Sequence, residues 1–246
     1  MNFVVLSACR VPLEDGISDP FEASNRQAHE INKSIDKNII RPMALVYGDI
    51  TPIKLQSVAN NMSMNFSLPR YSMNYILQGE LMNASRSSMK FLVNSTLGVG
   101  GIYDFSSQLG LTSEKTDFGE TMAKWGFREG PYLEILVLGP SNQRDGIGKV
   151  VDLVLDPVSL IGVGAKSAAT ATSVAFGLSA RSQFRESIDS ILYESADSYA
   201  QSRLFFLQNR RYELGTNKTE HYIDCLLYTS DAADDMQCVD LGGRRI

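Results

Sequence analysis

The chain is predicted to be all-α, and three observations carry that prediction. Apolar residues recur at three- and four-residue spacing through most of the sequence, proline and glycine punctuate it at helix-length intervals, and no run alternates with period two for long. With 246 residues, of which 43% are apolar, a sizeable core can be buried. A charged fraction of 21% and a net charge of -5 exclude compositional disorder and offer no basic field for nucleic acid. No stretch of 18 consecutive uncharged apolar residues occurs, which argues against an ordinary membrane-spanning helix.

The elements follow in order. Asp19 suits an N-cap and Pro20 a first helical position, opening an amphipathic helix whose apolar face is Ala28, Ile31, Ile35 and Ile39 and which Arg41-Pro42 ends. Thr51-Pro52 starts a second helix by the same device, with Ile53, Leu55, Val58, Ala59 and Met62 as its apolar face, until Pro69 interrupts it. A third helix is expected from about Glu80 to Leu97, before the glycines at 98, 100 and 101 break the pattern. Ser141 reads as the cap of a helix reaching Leu155, and Asp156-Pro157 forces a boundary. Helices over 165–194 and 197–214 complete the chain. Residues 157–180 carry Lys166 as their one charge and many small residues, which suit either close helix packing in lipid or a buried core helix divided by its glycines.

The two ends read differently from the body. Leu6-Ser7-Ala8-Cys9 behind the apolar Phe3-Val4-Val5 has the form of a lipobox: small residues that fit a signal peptidase, then a thiol that takes a diacylglyceryl group. Cys9 is thus the expected lipidation site, residues 1–8 a truncated signal peptide and residues 9–18 a lipidated tether; a lone cysteine in an edge strand is the alternative. Each buried acyl methylene contributes roughly 0.8 kcal/mol, so several chains make a durable anchor. Residues 225–235, CLLYTSDAADD, and 238–246, CVDLGGRRI, resemble the translation of two constant blocks of a sequencing adapter, so residues 225–246 are expected to be read-through and 215–224 a C-terminal tail, an ordinary polar tail carrying a cysteine pair being the alternative.

The catalytic inventory is mostly negative. No G-x-S-x-G, H-E-x-x-H or body C-x-x-C is present, and Gly98-Val99-Gly100-Gly101 lacks the lysine of a phosphate loop and reads as a turn. His29 sits inside an amphipathic helix, where a structural role is the simpler reading. Asp117 with Glu120 and Glu186 with Asp189 lie one helical turn apart, a spacing usual for solvated surface. No catalytic residue, metal or cofactor is expected.

The order of short motifs points further. Asp19-Pro20-Phe21-Glu22, Asn25-Arg26, Arg41-Pro42, Asn74 with Leu77-Gln78-Gly79, Phe91 to Gly101, Asp117 to Thr121, Trp125-Gly126, Gly130-Pro131-Tyr132-Leu133, Leu138-Gly139-Pro140-Ser141, Arg144-Asp145 and Gln208 to Tyr212 together resemble the MlaA (VacJ) family over residues 19–214. Glu120 and Asp197-Ser198-Tyr199 depart from its usual residues.

The resemblance implies a ring-like helical domain with an amphipathic central channel, embedded from the periplasmic side in the inner leaflet of the outer membrane beside a trimeric porin. It implies retrograde phospholipid transport: mislocalised phospholipid is taken from the outer leaflet and passed intact to a soluble periplasmic carrier of the Mla pathway. On that expectation Asn94, Gly98, Gly100, Gly101, Gly130, Pro131, Tyr132, Gly139, Pro140 and Ser141 shape the channel and its loops, because glycine admits backbone angles closed to other residues and proline stiffens the entry. Arg144 and Asp145 either bind a headgroup or pair with each other. A non-catalytic envelope scaffold and an envelope phospholipase are the alternatives from other classes.

Overall fold

The computed structural model describes residues 18–154, 156–158 and 162–215. Cys9 with its lipobox, most of the expected tether and the expected read-through segment lie outside the described residues. The chain divides between Gln183 and Phe184 into two compact units. The first contains α1 (Glu22–Ile35), a π-turn (Asp36–Ile40), α2 (Arg41–Ile50), α3 (Ile53–Leu77), α4 (Leu81–Thr96), α5 (Phe105–Gln108), α6 (Phe118–Lys124), strands β1 (Tyr132–Ile135) and β2 (Gly139–Asn142), α7 (Gln143–Val154) and α8 (Val163–Gln183). The second contains α9 (Arg185–Asp189), a π-turn (Ser190–Glu194) and α10 (Ser198–Glu213). The all-α class holds, with one antiparallel hairpin that pairs Tyr132 with Asn142 and Ile135 with Gly139.

Several boundaries differ from expectation. Phe21, not Asp19, immediately precedes α1; the Asp19 carboxylate accepts from the Asn25 amide at 2.8 Å, while the Ser18 carbonyl is held by the Tyr132 N–H. Pro42 does not end the first helix. The Arg41 N–H reaches back five residues to the Asp36 carbonyl, and this π-turn delivers Pro42 to the opening of α2, where its missing donor is tolerated. Pro69 likewise lies inside α3, which is flanked by α4 and α8. Ser141 belongs to β2, and the cap of α7 is supplied one residue later by Asn142, whose Oδ1 accepts from the Asp145 N–H at 2.8 Å. The expected 165–194 helix starts after Gly162 and breaks at Phe184, so one glycine, not a cluster, sets its start. Gly164 and Gly177 face open space; the close approach of α2 to α8 is made instead by Gly48 against Ser182. The third helix and the last one, capped by Asp197 on the Ala200 N–H at 3.0 Å, fall where the sequence places them.

The apolar core is small: Leu68, Tyr71 and Tyr75 of α3 pack on Ala84 of α4, with Phe91 against them. The hydroxyl of Ser72 donates to the Ala84 carbonyl at 3.1 Å and stitches the same two helices.

Candidate functional site

Many inward-facing positions carry polar side chains and many apolar side chains are left outside, a partial reversal of the pattern of a water-soluble bundle. On α1 and the π-turn that follows it the side chains turned inward are Asn25, His29 and Asp36, while Ile31 and Ile39 are half exposed. On α3 two residues of the expected apolar face are exposed, Ile53 at 81% and Leu55 at 58%, while Val58, Ala59 and Met62 are partly buried; Ser63, Asn65 and Asn74 are buried beside Leu68, Tyr71 and Tyr75. Among the described residues 23 buried side chains are polar or charged and 9 are apolar, so the interior is organised by hydrogen bonds rather than by hydrocarbon. In water such an exterior is a liability; against acyl chains it is the favourable arrangement. No helix among the described residues is long and apolar enough to cross a membrane.

Two clusters gather the residues singled out from the sequence. The first is built on Asn94, 3% exposed, at the end of α4. Its amide donates to Asp104 at 3.0 Å and its oxygen accepts from the Ser106 N–H at 2.9 Å, tying the chain across the glycine turn. Asp104 also accepts from the hydroxyls of Ser106 and Ser107 and faces the ammonium of Lys90 at 3.5 Å. Burial opposes its ionised form, but the hydrogen bonds from Ser107, Ser106 and Asn94 and the charge of Lys90 outweigh that and hold its carboxyl well below the usual carboxylate range. Within the turn Gly100 and Gly101 have φ of +73° and +91°, and a Cβ on Gly101 would sit 2.7 Å from that of Asn65. A Cβ on Gly98 would meet backbone of Asn94 and Tyr103.

The second cluster joins the hairpin to α1 and α7. Asn25 donates to the Tyr132 carbonyl at 3.1 Å and accepts from the Glu134 N–H at 3.0 Å; two helical turns on, Asn32 repeats this with the Ile135 carbonyl and the Val137 N–H. Two asparagines thus satisfy the open edge of β1 as a neighbouring strand would. The Tyr132 hydroxyl donates to Glu134, whose other oxygen lies 3.6 Å from Nδ1 of the buried His29. Gly130 has φ +70°, and a Cβ there would press on Gln143, whose N–H is bonded to the Pro131 carbonyl at 3.0 Å. Gly139, at φ +72°, faces open space, Pro140 lies beside it in β2, and Ser141 is fully buried. Arg144 donates to Asp145 at 3.1 Å with both side chains 6% exposed, and Asp145 also accepts from Asn142 at 2.8 Å.

Sequence reasoning missed a third network. Asp152 of α7 accepts from Asn74 of α3 at 2.9 Å and from the Phe118 N–H at 3.1 Å, and Thr121 of α6 donates to Asn74 at 3.0 Å. Gln78 extends it by donating to Thr116 and Thr121 at 2.8 and 2.9 Å. Burial pushes the Asp152 carboxyl up, partly countered by those donors and by the charge of Arg70. The legible signal was the recurrence of polar residues at helical spacing in α3. No cluster of potential metal ligands occurs among the described residues.

Residues 17–213 match the profile of the MlaA lipoprotein family. The chain belongs to the MlaA lipoprotein family. Among related MlaA proteins, the intermembrane phospholipid transport system lipoprotein MlaA of Escherichia coli K12 is 28% identical over 79% of this chain and 78% of its own. An uncharacterised protein of Rickettsia felis is 36% identical over 58% of this chain and 57% of its own, so the match spans little more than half of that relative. A solved structure, described as the structural basis for maintenance of bacterial outer membrane lipid asymmetry, superposes with a TM-score of 0.68 at 26% identity, covering 80% of this chain and 99% of that one.

Proposed function

We propose that this protein is an outer-membrane lipoprotein that removes mislocalised phospholipid from the outer leaflet and passes it to a soluble periplasmic carrier, maintaining lipid asymmetry. The partly reversed helix faces carry this reading. A phospholipid couples a headgroup that resists hydrocarbon to chains that resist water, and moving it requires both environments side by side. A polar interior supplies substitutes for headgroup hydration, and an apolar exterior is suited to half a bilayer without a spanning helix.

In this reading lipidated Cys9 moors the chain on the periplasmic side, the helical body of 19–214 lies in the inner leaflet beside a trimeric porin, and a passage shaped by the two glycine-bearing clusters conducts the lipid. No bond is made or broken, so no nucleophile is needed. The relatives named for intermembrane phospholipid transport support the same assignment.

The test is a surface phospholipid assay in a strain lacking its own transporter, complemented with this chain ended at Asp224 and given a complete signal peptide. Restored asymmetry is the expected result. Unchanged surface phospholipid despite normal expression and lipidation overturns the reading, and release of free fatty acid or lysolipid by the purified protein would replace it with a phospholipase.

A further inference from the structure

Helix α3 carries a polar stripe: Asn60, Ser63, Ser67, Arg70, Asn74 and Gln78 recur at intervals of three and four, so they share one face over about 27 Å. That face is partly to fully buried along its length, while Met64, Met73, Ile76 and Leu77 of the same helix are exposed. The stripe of α1 and the following π-turn is consumed by the fold, since Asn25, Asn32 and Asp36 all bond partners on other elements. On α3 most members are engaged too: Ser63 lies 3.4 Å from Ser173, Ser67 bonds its own helix, and Asn74 and Gln78 belong to the Asp152 network.

Two atoms on the stripe are not engaged. Oδ1 of Asn60 and Nε of Arg70 are buried and without a hydrogen-bond partner among the described residues. Arg70 forms no ion pair there; its guanidinium is 5.8 Å from the centre of the Tyr71 ring and feels Asp152 only through space. The nearby carboxylate is already occupied by Asn74 and the Phe118 N–H. A partly buried guanidinium with an unmet donor is costly unless an anion visits it, and its planar fork matches a phosphate oxygen pair.

We propose that Asn60 and Arg70, the two members of the α3 stripe with unmet polar atoms, contact the headgroup and that Arg70 is its phosphate contact, the point at which a phosphodiester in transit is held. This rests on the transport reading above and adds to it the chemical group recognised and the residue that recognises it. The shared chemistry is a phosphate monoanion, supplied either by a glycerophospholipid or by free phosphate.

The test compares full-length protein with Arg70→Ala and Arg70→Lys in detergent. Each is titrated with fluorescent phosphatidylethanolamine and with a fluorescent diacylglycerol of the same chains, with and without inorganic phosphate. The expected result is about tenfold weaker phosphatidylethanolamine binding by Arg70→Ala, partial recovery in Arg70→Lys and unchanged diacylglycerol binding in all three. Equal phosphatidylethanolamine affinity in wild type and Arg70→Ala overturns the assignment, as does parallel loss of both ligands, which marks a structural role. Full competition by inorganic phosphate shows a free-phosphate site instead. If Arg70→Ala binds normally while wild type still restores asymmetry in cells, the Arg70 assignment fails and the transport reading stands; if wild type binds neither lipid, both fall.

Discussion

Arg181 of α8 grips Asp36 in the π-turn between α1 and α2 with three hydrogen bonds of 2.8 to 3.3 Å, across 145 residues of sequence and with the side chains 7% and 12% exposed. Asp36 stands eleven residues after Asn25, three turns on along the same face, so the regular helix already directs it inward at the point where the π-turn begins. Removing one partner strands a buried charge, whereas removing both does not. Arg181→Met should therefore lower stability by about 3–5 kcal/mol, and Asp36→Leu combined with Arg181→Met should recover much of it. Chemical denaturation of both variants in one detergent decides; a double variant as unstable as the single one contradicts the pairing.

The Asp104 network predicts an acid limb. In the unfolded chain this carboxyl ionises near 3.8, and in the folded protein well below it, because Ser107, Ser106, Asn94 and Lys90 together outweigh burial. The folded state then binds fewer protons, so the stabilisation is complete above the unfolded value and drains away as pH falls from about 4 toward the folded value. Asp104→Asn should be less stable at neutral pH and lose less stability on acidification. Parallel stability curves for the variant and wild type from pH 6 to 2.5 would rule the network out as the source.

The glycine turn separates strain from crowding. Alanine at Gly100 meets no neighbour and costs the positive φ alone, about 1 kcal/mol, whereas alanine at Gly101 adds a collision with Asn65. Gly101→Ala should therefore melt earlier than Gly100→Ala, and a reversed order would contradict this geometry. Valine at Gly100 or Gly139 is expected to impair lipid removal in cells while lipidation proceeds.

Val150 and Leu153, one turn apart on α7 and 61% and 74% exposed, report on the medium outside. Glutamate at both positions touches no packed neighbour and should leave the helix formed, yet each charge facing hydrocarbon costs about 2.5–3.5 kcal/mol. Loss of co-flotation with vesicles, measured on Cys9→Ser protein that carries no acyl anchor, is the expected outcome. Undiminished flotation shows that this face does not meet lipid.

Much of the local structure was legible. Helices α4 and α10 lie where periodicity, capping and the glycine break place them, because those signals act within a turn or two of the chain. The hairpin was not foreseen because Tyr132 to Asn142 is held by asparagines from α1 more than 100 residues away. Pro42 and Pro69 read as stops because proline removes a donor, a local rule overridden where a π-turn or flanking helices accommodate the loss. Of the candidate residues, Gly98, Gly100 and Gly101 stand at a real turn that Asn94 of α4 ties down, while Asp104, Asp152 and Glu134 went unnoticed, since a buried carboxylate is recognisable only by its distant donors.

The amino-acid order alone determined that the helices are two-faced, for alternation at 3.6 residues is a property of the chain. Only the tertiary structure decided which face is turned in. Burial of Asn25 and Asp36 with exposure of Ile31 and Ile53 follows from partners far along the sequence and from the solvent outside, and neither is encoded in the spacing of residues along one helix.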